Sequence, residues 1–274
     1  MKIRPGGDAN PVMDALAAET DLVTALLKFS EAGEVHFHPE RLGDPAAAKR
    51  PQVIGVSFYD ELWDPLRSER DVVRALAACD AAPQHQYVFL TKRPEQVDAN
   101  MVAAFAAHRN WWLGASVTGN TGADASRCDY AKGWKRSGVR IWLSLEPWLD
   151  YLGPTGLHRT IDGADLVVIG CESGRENEPS FDEKWQGSAQ EIVDYCRGAE
   201  NYLGRKRSTV PVFVKQVWVK GRCSRDPAEW PADLRVQQLP EEWQRIMAAS
   251  DESRRAGTAC PGAPGVACGS NERT

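Results

Sequence analysis

QYVFLTKRPEQ, residues 86–96, joins an apolar run to a charged end. The run QYVFLT (86–91) has the length of a buried strand, and it ends in Thr91, followed by Lys92 and Arg93 before Pro94 breaks it. The same design recurs in both directions along the chain. VIGVSF (53–58) precedes it, and WWLGASV (111–117), VRIWLSL (139–145), DLVVIG (165–170) and VPVFVKQ (210–216) succeed it. Helix-like stretches fill most of the gaps, at 68–79, 95–107, 122–136 and 188–203. The gap before the last run is longer and has room for an extra loop. Strand alternating with helix predicts a parallel sheet covered by helices, as a barrel or an open α/β sheet.

The flanks read differently. Residues 14–29 have the spacing of an amphipathic helix, with Leu16, Val23, Leu26, Leu27 and Phe29 on its apolar face, and 34–38 reads as extended. Residues 249–274 are rich in Ser, Arg, Gly, Ala, Pro and Cys and lack apolar periodicity. The expected organisation is therefore an N-terminal helical segment (1–37), a barrel-like domain (38–248) and a mostly disordered tail (249–274). With 274 residues, 42% of them hydrophobic, the chain can bury a sizeable core, and the composition excludes collagen and coiled coil. A net charge of -5 argues against nucleic-acid binding by bulk charge. Local clusters remain candidates for it: Lys132, Lys135, Arg136 and Arg140, and Arg205, Lys206 and Arg207. The 7 cysteines form no C-x-x-C pair, and no signal-like or membrane-spanning apolar run is seen, so the expectation is a soluble cytoplasmic protein. The 10 tryptophans read as core, with pocket lining as the alternative.

The polar residues that end each apolar run carry the functional signal. Asp60 lies after the first, and the second ends in Thr91, Lys92 and Arg93. Ser116 and Thr118 end the third, Ser144 and Glu146 the fourth, Glu172 and Ser173 the fifth, Lys215 and Gln216 the sixth. Parallel α/β folds gather such positions at one side, at the carboxyl ends of the strands, where their ligand sites lie. Side chains two apart share a face, so Gly114, Ser116 and Thr118, Ser144 and Glu146, and Gly170 and Glu172 align towards one mouth. Leu113, Ala115, Leu143, Leu145, Val167 and Ile169 fall on the opposite, helix-facing side. The mixed charges, with Asp60, Glu146 and Glu172 against Lys92, Arg93 and Lys215, suit a zwitterionic ligand or an acid–base pair. They equally suit a self-neutralising buried network.

Several chemistries lack their motifs. The chain has no G-x-G-x-x-G, no Walker loop and no G-x-S-x-G elbow. His36 and His38 form an H-x-H pair, and Cys260 and Cys268 lie in the tail, but neither pair brings the further ligands a metal needs. Cys171 at a strand end reads as a packed thiol rather than a nucleophile, since no histidine is placed to activate it.

Seven blocks in succession resemble a known group. HPERL (38–42), VSFYDELW (56–63), VFLTKRPEQ (88–96), WLGASV (112–117), SLEPW (144–148), VVIGCESG (167–174) and FVKQVW (213–218) are similar to the signature blocks of a phage- and prophage-associated family of radical-SAM-like proteins of unknown function. The resemblance covers about residues 35–220. It implies a partial or near-complete TIM-type (β/α) barrel with its site at the strand mouths. It implies S-adenosylmethionine as a cofactor, and a partner protein named for a three-cysteine motif. Carried over by residue, it implies a ligand site at Ser116, Ser144, Gly170, Glu172 and Ser173, with Glu146, Lys92 and Lys215 as candidate catalytic groups.

One departure from the family pattern decides the cofactor expectation. The family's cysteine block precedes HPERL, yet residues 1–37 contain no cysteine. A SAM-cleaving [4Fe–4S] cluster uses three thiolates, so the chain as written is expected to lack it, through a lost start or as a cluster-free derivative. The function expected is thus a radical-SAM-like protein of unknown substrate, or a non-catalytic barrel that binds a small-molecule ligand or a protein partner.

Overall fold

The computed structural model describes residues 37–57, 60–119, 121–149, 161, 163–173, 179–198 and 209–258. Strands β1 (Val53–Val56), β2 (Gln86–Thr91), β3 (Trp111–Ser116), β4 (Arg140–Leu145), β5 (Leu166–Gly170), β6 (Val212–Val219) and β7 (Arg222–Ser224) form one sheet in chain order. The first six run parallel, and β7 returns antiparallel to β6. Its two-residue hairpin uses Lys220 at φ 52° and Gly221 at φ 74°, the backbone a tight hairpin needs. Unlike a doubly wound sheet, the strand order never reverses. The sheet curls into a half-barrel whose edge strands β1 and β7 do not pair.

Six helices among the described residues accompany it: α1 (Asp44–Ala47), α2 (Glu69–Asp80), α3 (Ala99–Ala107), α4 (Thr121–Arg136), α5 (Pro179–Cys196) and α6 (Glu241–Thr258). Ser68 caps α2 by accepting from the Asp71 amide, and Asp98 caps α3 by accepting from that of Met101. Strand parity sorts the two faces. Leu113, Ala115, Leu143, Leu145, Val167 and Ile169 pack in one cluster with Phe105 of α3, Trp134 of α4 and Ile192 of α5. On the concave face, Val53, Val88, Trp112, Trp142, Leu166 and Phe213 meet Trp243 of α6. These lie early in their strands, so α6 covers the lower part of the concave face and leaves the upper part to polar residues. All 10 tryptophans are buried, at most 5% exposed, which assigns them to the core.

Several limits differ from the sequence expectation: α3 begins at Ala99 rather than 95, β1 ends at Val56 rather than 58, β6 runs Val212–Val219 rather than 210–216, and α5 ends at Cys196 rather than 203. Two further differences have a physical reason. Helix α5 begins at Pro179 rather than near 188, because Gly187 does not break it: a side chain there would meet only open space, and Trp185 and Ala189 are buried on either side. Helix α6 runs through Thr258 and so crosses the 248/249 boundary. Its Ala-, Glu- and Arg-rich sequence favours helix even without apolar periodicity. The expected helix at 14–29 and the cysteines at 260 and 268 lie outside the described residues.

A buried histidine ties β2 to the segment before β1. His85 is fully buried, its Nδ1 accepts from the Gln52 amide at 3.1 Å, and its Nε2 lies 2.8 Å from the Pro45 carbonyl. A ring that accepts at Nδ1 is neutral and donates from Nε2. Burial lowers its pKa below the ordinary 6.5. The unfolded chain therefore takes up the proton first, and stability falls as pH drops below about 6.5. Urea midpoints between about pH 7.5 and about pH 5 are expected to decline, and to decline less in His85→Gln. An equal slope in the two proteins would remove His85 as the cause.

Candidate functional site

The carboxyl ends of the parallel strands form one rim. Lys92 directly follows β2, Glu146 follows β4, Glu172 lies just beyond β5, and Lys215 sits in β6 beside Gln216, the register partner of Gly170. Ser116 and Ser144 face each other in register across β3 and β4, both buried. The structure thus places all eight candidate residues at the same end of the sheet. It does not join them into one cluster.

The joined pair is Glu146 and Lys215. The Lys215 Nζ donates to Glu146 Oε1 at 2.6 Å, and the Lys215 and Glu146 side chains are 28% and 23% exposed respectively. Gly170 lies beneath them: a Cβ there would come within 3.2 Å of Glu146 Cγ and Cδ and of Gln216 Cγ. The glycine is therefore a clearance that lets the carboxylate lie across β5. Gln216 is buried, donates from Nε2 to the Cys171 carbonyl, and accepts at Oε1 from Arg225 Nε at 3.2 Å. The floor is Trp142. Its indole lies over Gly114 and donates to the Phe89 carbonyl at 2.8 Å.

Lys92 stands apart. Its side chain is exposed, while its amide donates to Glu61 Oε2 at 2.8 Å and its carbonyl accepts from Arg127 Nε at 3.1 Å. Ser173 is exposed and Glu172 half-buried at the edge of the rim. Asp60 does not face the lysines of the other strands. It is paired with Arg67, Nη2 to Oδ2 at 2.6 Å, and both side chains are 1–2% exposed. The alternation in sequence reaches the strand ends but not the turn beyond β1, where Arg67 folds back. Glu61 is a further residue the sequence pattern missed: its carboxylate accepts from the Thr91 hydroxyl and the Lys92 amide, and so pins the end of β2.

The cysteines offer little chemistry at the rim. Cys171 is fully buried, and its hydrogen bond with Cys223 together with burial pushes its thiol far up. Cys223 is lowered by the same contact. Among the described residues no group of three or more His, Cys, Asp or Glu side chains is arranged to hold a metal ion, and His36 lies outside them. The basic cluster on and after α4 is partly neutralised: Lys135 pairs with Asp165, and Arg140 pairs with Glu242 while stacking on Trp112 at 4.9 Å. Arg205, Lys206 and Arg207 lie outside the described residues.

No helix among the described residues is long and apolar enough to cross a membrane. No curated protein and no solved structure matches the chain. One family model does match, over residues 10–222, under the description Protein of unknown function (DUF5131). With most of its length matched, half-barrel and rim included, the chain belongs to that uncharacterised family.

Proposed function

We propose that the chain is a radical-SAM-like half-barrel that binds S-adenosylmethionine or a related zwitterionic ligand at the rim between β4 and β6, as a ligand-binding protein. The observation that carries this is the partly exposed Glu146–Lys215 pair lying across the bare Gly170. An ammonium has three N–H donors, and Glu146 takes one of those on Lys215, which leaves donors for a ligand carboxylate. The Oε2 of Glu146 suits a ligand ammonium or ribose hydroxyl. The in-register Ser116 and Ser144 and the clearance at Gly170 suit a backbone-close approach to β3, β4 and β5.

A SAM-cleaving iron–sulfur cluster does not fit the described residues. Such a cluster uses three thiolates. Cys171 and Cys223 are the cysteines at this rim, and one of them is buried with its thiol held protonated. The rim therefore supports ligand binding through the Glu146–Lys215 pair, without a radical step.

The pair's exposure makes the test clean. Partly exposed ion pairs contribute about 0–1 kcal/mol to stability, so Glu146→Gln and Lys215→Met are expected to fold normally. Titration calorimetry with S-adenosylmethionine and with S-adenosylhomocysteine is expected to show binding to the wild type. Each variant is expected to weaken it at least about 10-fold, about 1.4 kcal/mol. No binding of either compound to the wild type would remove the proposed ligand class. Unchanged affinity in both variants would move the site elsewhere.

A further inference from the structure

The end of β7 brings a second cation to the rim. The β6–β7 register pairs Val217 with Ser224, and one step further it sets Arg225 beside Gln216. The two side chains meet there: Arg225 Nε donates to Gln216 Oε1 at 3.2 Å. On its other side Gln216 is the register partner of Gly170. Gly170, Gln216 and Arg225 thus form a row across β5, β6 and the end of β7. The bare Gly170 joins this row to the Glu146–Lys215 pair, because a Cβ there would lie 3.2 Å from Gln216 Cγ and equally from Glu146 Cγ and Cδ.

Arg225 is held but not neutralised. Gln216 is 1% exposed and is itself fixed through its Nε2, which donates to the Cys171 carbonyl. Its grip takes one guanidinium nitrogen of a residue that is otherwise exposed, and Nη1 and Nη2 have no acid partner among the described residues. The acids nearest in sequence are engaged elsewhere: Glu229 accepts from Arg222 and Ser224, and Asp226 accepts from the Ala228 amide. The Cys223 thiol registers both rim cations. Its bond with Cys171 lowers its pKa most, and the charges of Arg225 and Lys215 lower it further, against burial and Glu146. The two cations therefore lie within electrostatic reach of one sulfur.

We propose that Arg225 is the carboxylate-reading residue of the rim, so that the ligand taken there carries a free amino-acid end, its carboxylate on Arg225 and Lys215 and its ammonium on Glu146. The assignment rests on the binding proposed for the rim and names the end of the ligand that the rim selects. Nη1 and Nη2 form a planar fork that takes both oxygens of a carboxylate, which an ammonium cannot do. Buried Gln216 presets the fork, so less side-chain freedom is lost on binding. Lys215 adds an N–H donor that Glu146 leaves over. A ligand that lacks the carboxylate leaves both cations unmet, and a site built on such donors discriminates against it.

Titration calorimetry on the full chain with S-adenosylhomocysteine and with its decarboxylated form, which keeps the adenosine, thioether and ammonium, tests this. The wild type is expected to favour the carboxylated compound by at least about 10-fold. Arg225→Gln is expected to bring that preference below about 3-fold, by weakening the carboxylated compound and leaving the other unchanged. A residue that only shaped the rim would weaken both alike. Arg225→Lys is expected to recover only part of the preference. Arg222→Gln removes a cation already paired with Glu229 and is expected to keep all of it. Equal affinity of the wild type for the two compounds overturns the proposal while the rim stands as a binding site, and so does an Arg225→Gln variant that keeps the preference or weakens both compounds alike. If S-adenosylhomocysteine does not bind the wild type, the proposal falls, and S-adenosylmethionine then decides whether the binding proposed for the rim falls with it.

Discussion

Gly114→Ala is expected to destabilise the protein by about 3–5 kcal/mol, from overpacking and the loss of a buried hydrogen bond together. An added Cβ would sit 2.2 Å from Trp142 Nε1 and 2.3 Å from Cε2. The backbone cannot retreat, because Gly114 is paired on both sides, with Leu90 of β2 and Trp142 of β4. The indole must then swing away, which breaks its bond to the Phe89 carbonyl and disturbs the concave cluster built on Trp112, Phe213 and Trp243. Urea denaturation checks the size of the loss. Combining Gly114→Ala with Trp142→Phe is expected to cost less than the sum of the single changes, because the smaller ring makes room. A single-variant loss under about 1 kcal/mol would show that the indole relocates freely and does not anchor the concave cluster.

Gly114 also marks how far the sequence could be read. The alternation Trp112, Gly114, Ser116 places that face towards the mouth, and the structure agrees, since β3 pairs with β4 in unbroken register from Trp112 to Ser116. Strand limits are legible for the same reason. Apolar runs buried on both faces leave little choice of register, and β2 occupies the run 86–91 without shift. The contacts that escape are long-range. That Trp142 covers Gly114, that Glu146 reaches Lys215 across Gly170, and that Arg67 returns to Asp60 are set by curl and turn geometry, which no local period encodes. The start of α5 is hidden by a single residue, Gly187, whose usual meaning as a break is overridden by the burial of Trp185 and Ala189.

The candidate site shows the same division. Position along a strand tells which end each polar residue occupies, and so gathers Lys92, Glu146, Glu172 and Lys215 at one rim. It does not tell which charges meet. Lys92 follows β2 as Glu146 follows β4, yet the Lys92 backbone is bound by Glu61 and Arg127 while its ammonium stays in solvent. Lys215 reaches the carboxylate because the β5–β6 register slips between Ile169 and Gly170 and sets Gly170 opposite Gln216. A bulge of this kind re-aims a side chain at a strand end, and nothing in VPVFVKQ announces it.

Asp60→Ala is expected to cost about 3–5 kcal/mol, since it strands the Arg67 guanidinium in the interior without its counter-charge. The double variant Asp60→Ala/Arg67→Met is expected to recover most of that loss, because an apolar pair replaces a buried ion pair at little or no cost. Urea midpoints of wild type, single and double variants measure both statements. A single loss below about 1 kcal/mol, or a double variant weaker than the single, would contradict them. The titration of Asp60 points the same way. Burial raises its pKa above the ordinary 3.8, and Arg67 only partly opposes this. A carboxyl raised in the folded state contributes stability below its unfolded pKa, and that stability is lost as pH rises through the folded value. At neutral pH the charged pair is therefore held against the preference of the fold. Together with the orphaned donors of Arg67 and the strained Ser57, that makes the β1 turn costly on three separate counts.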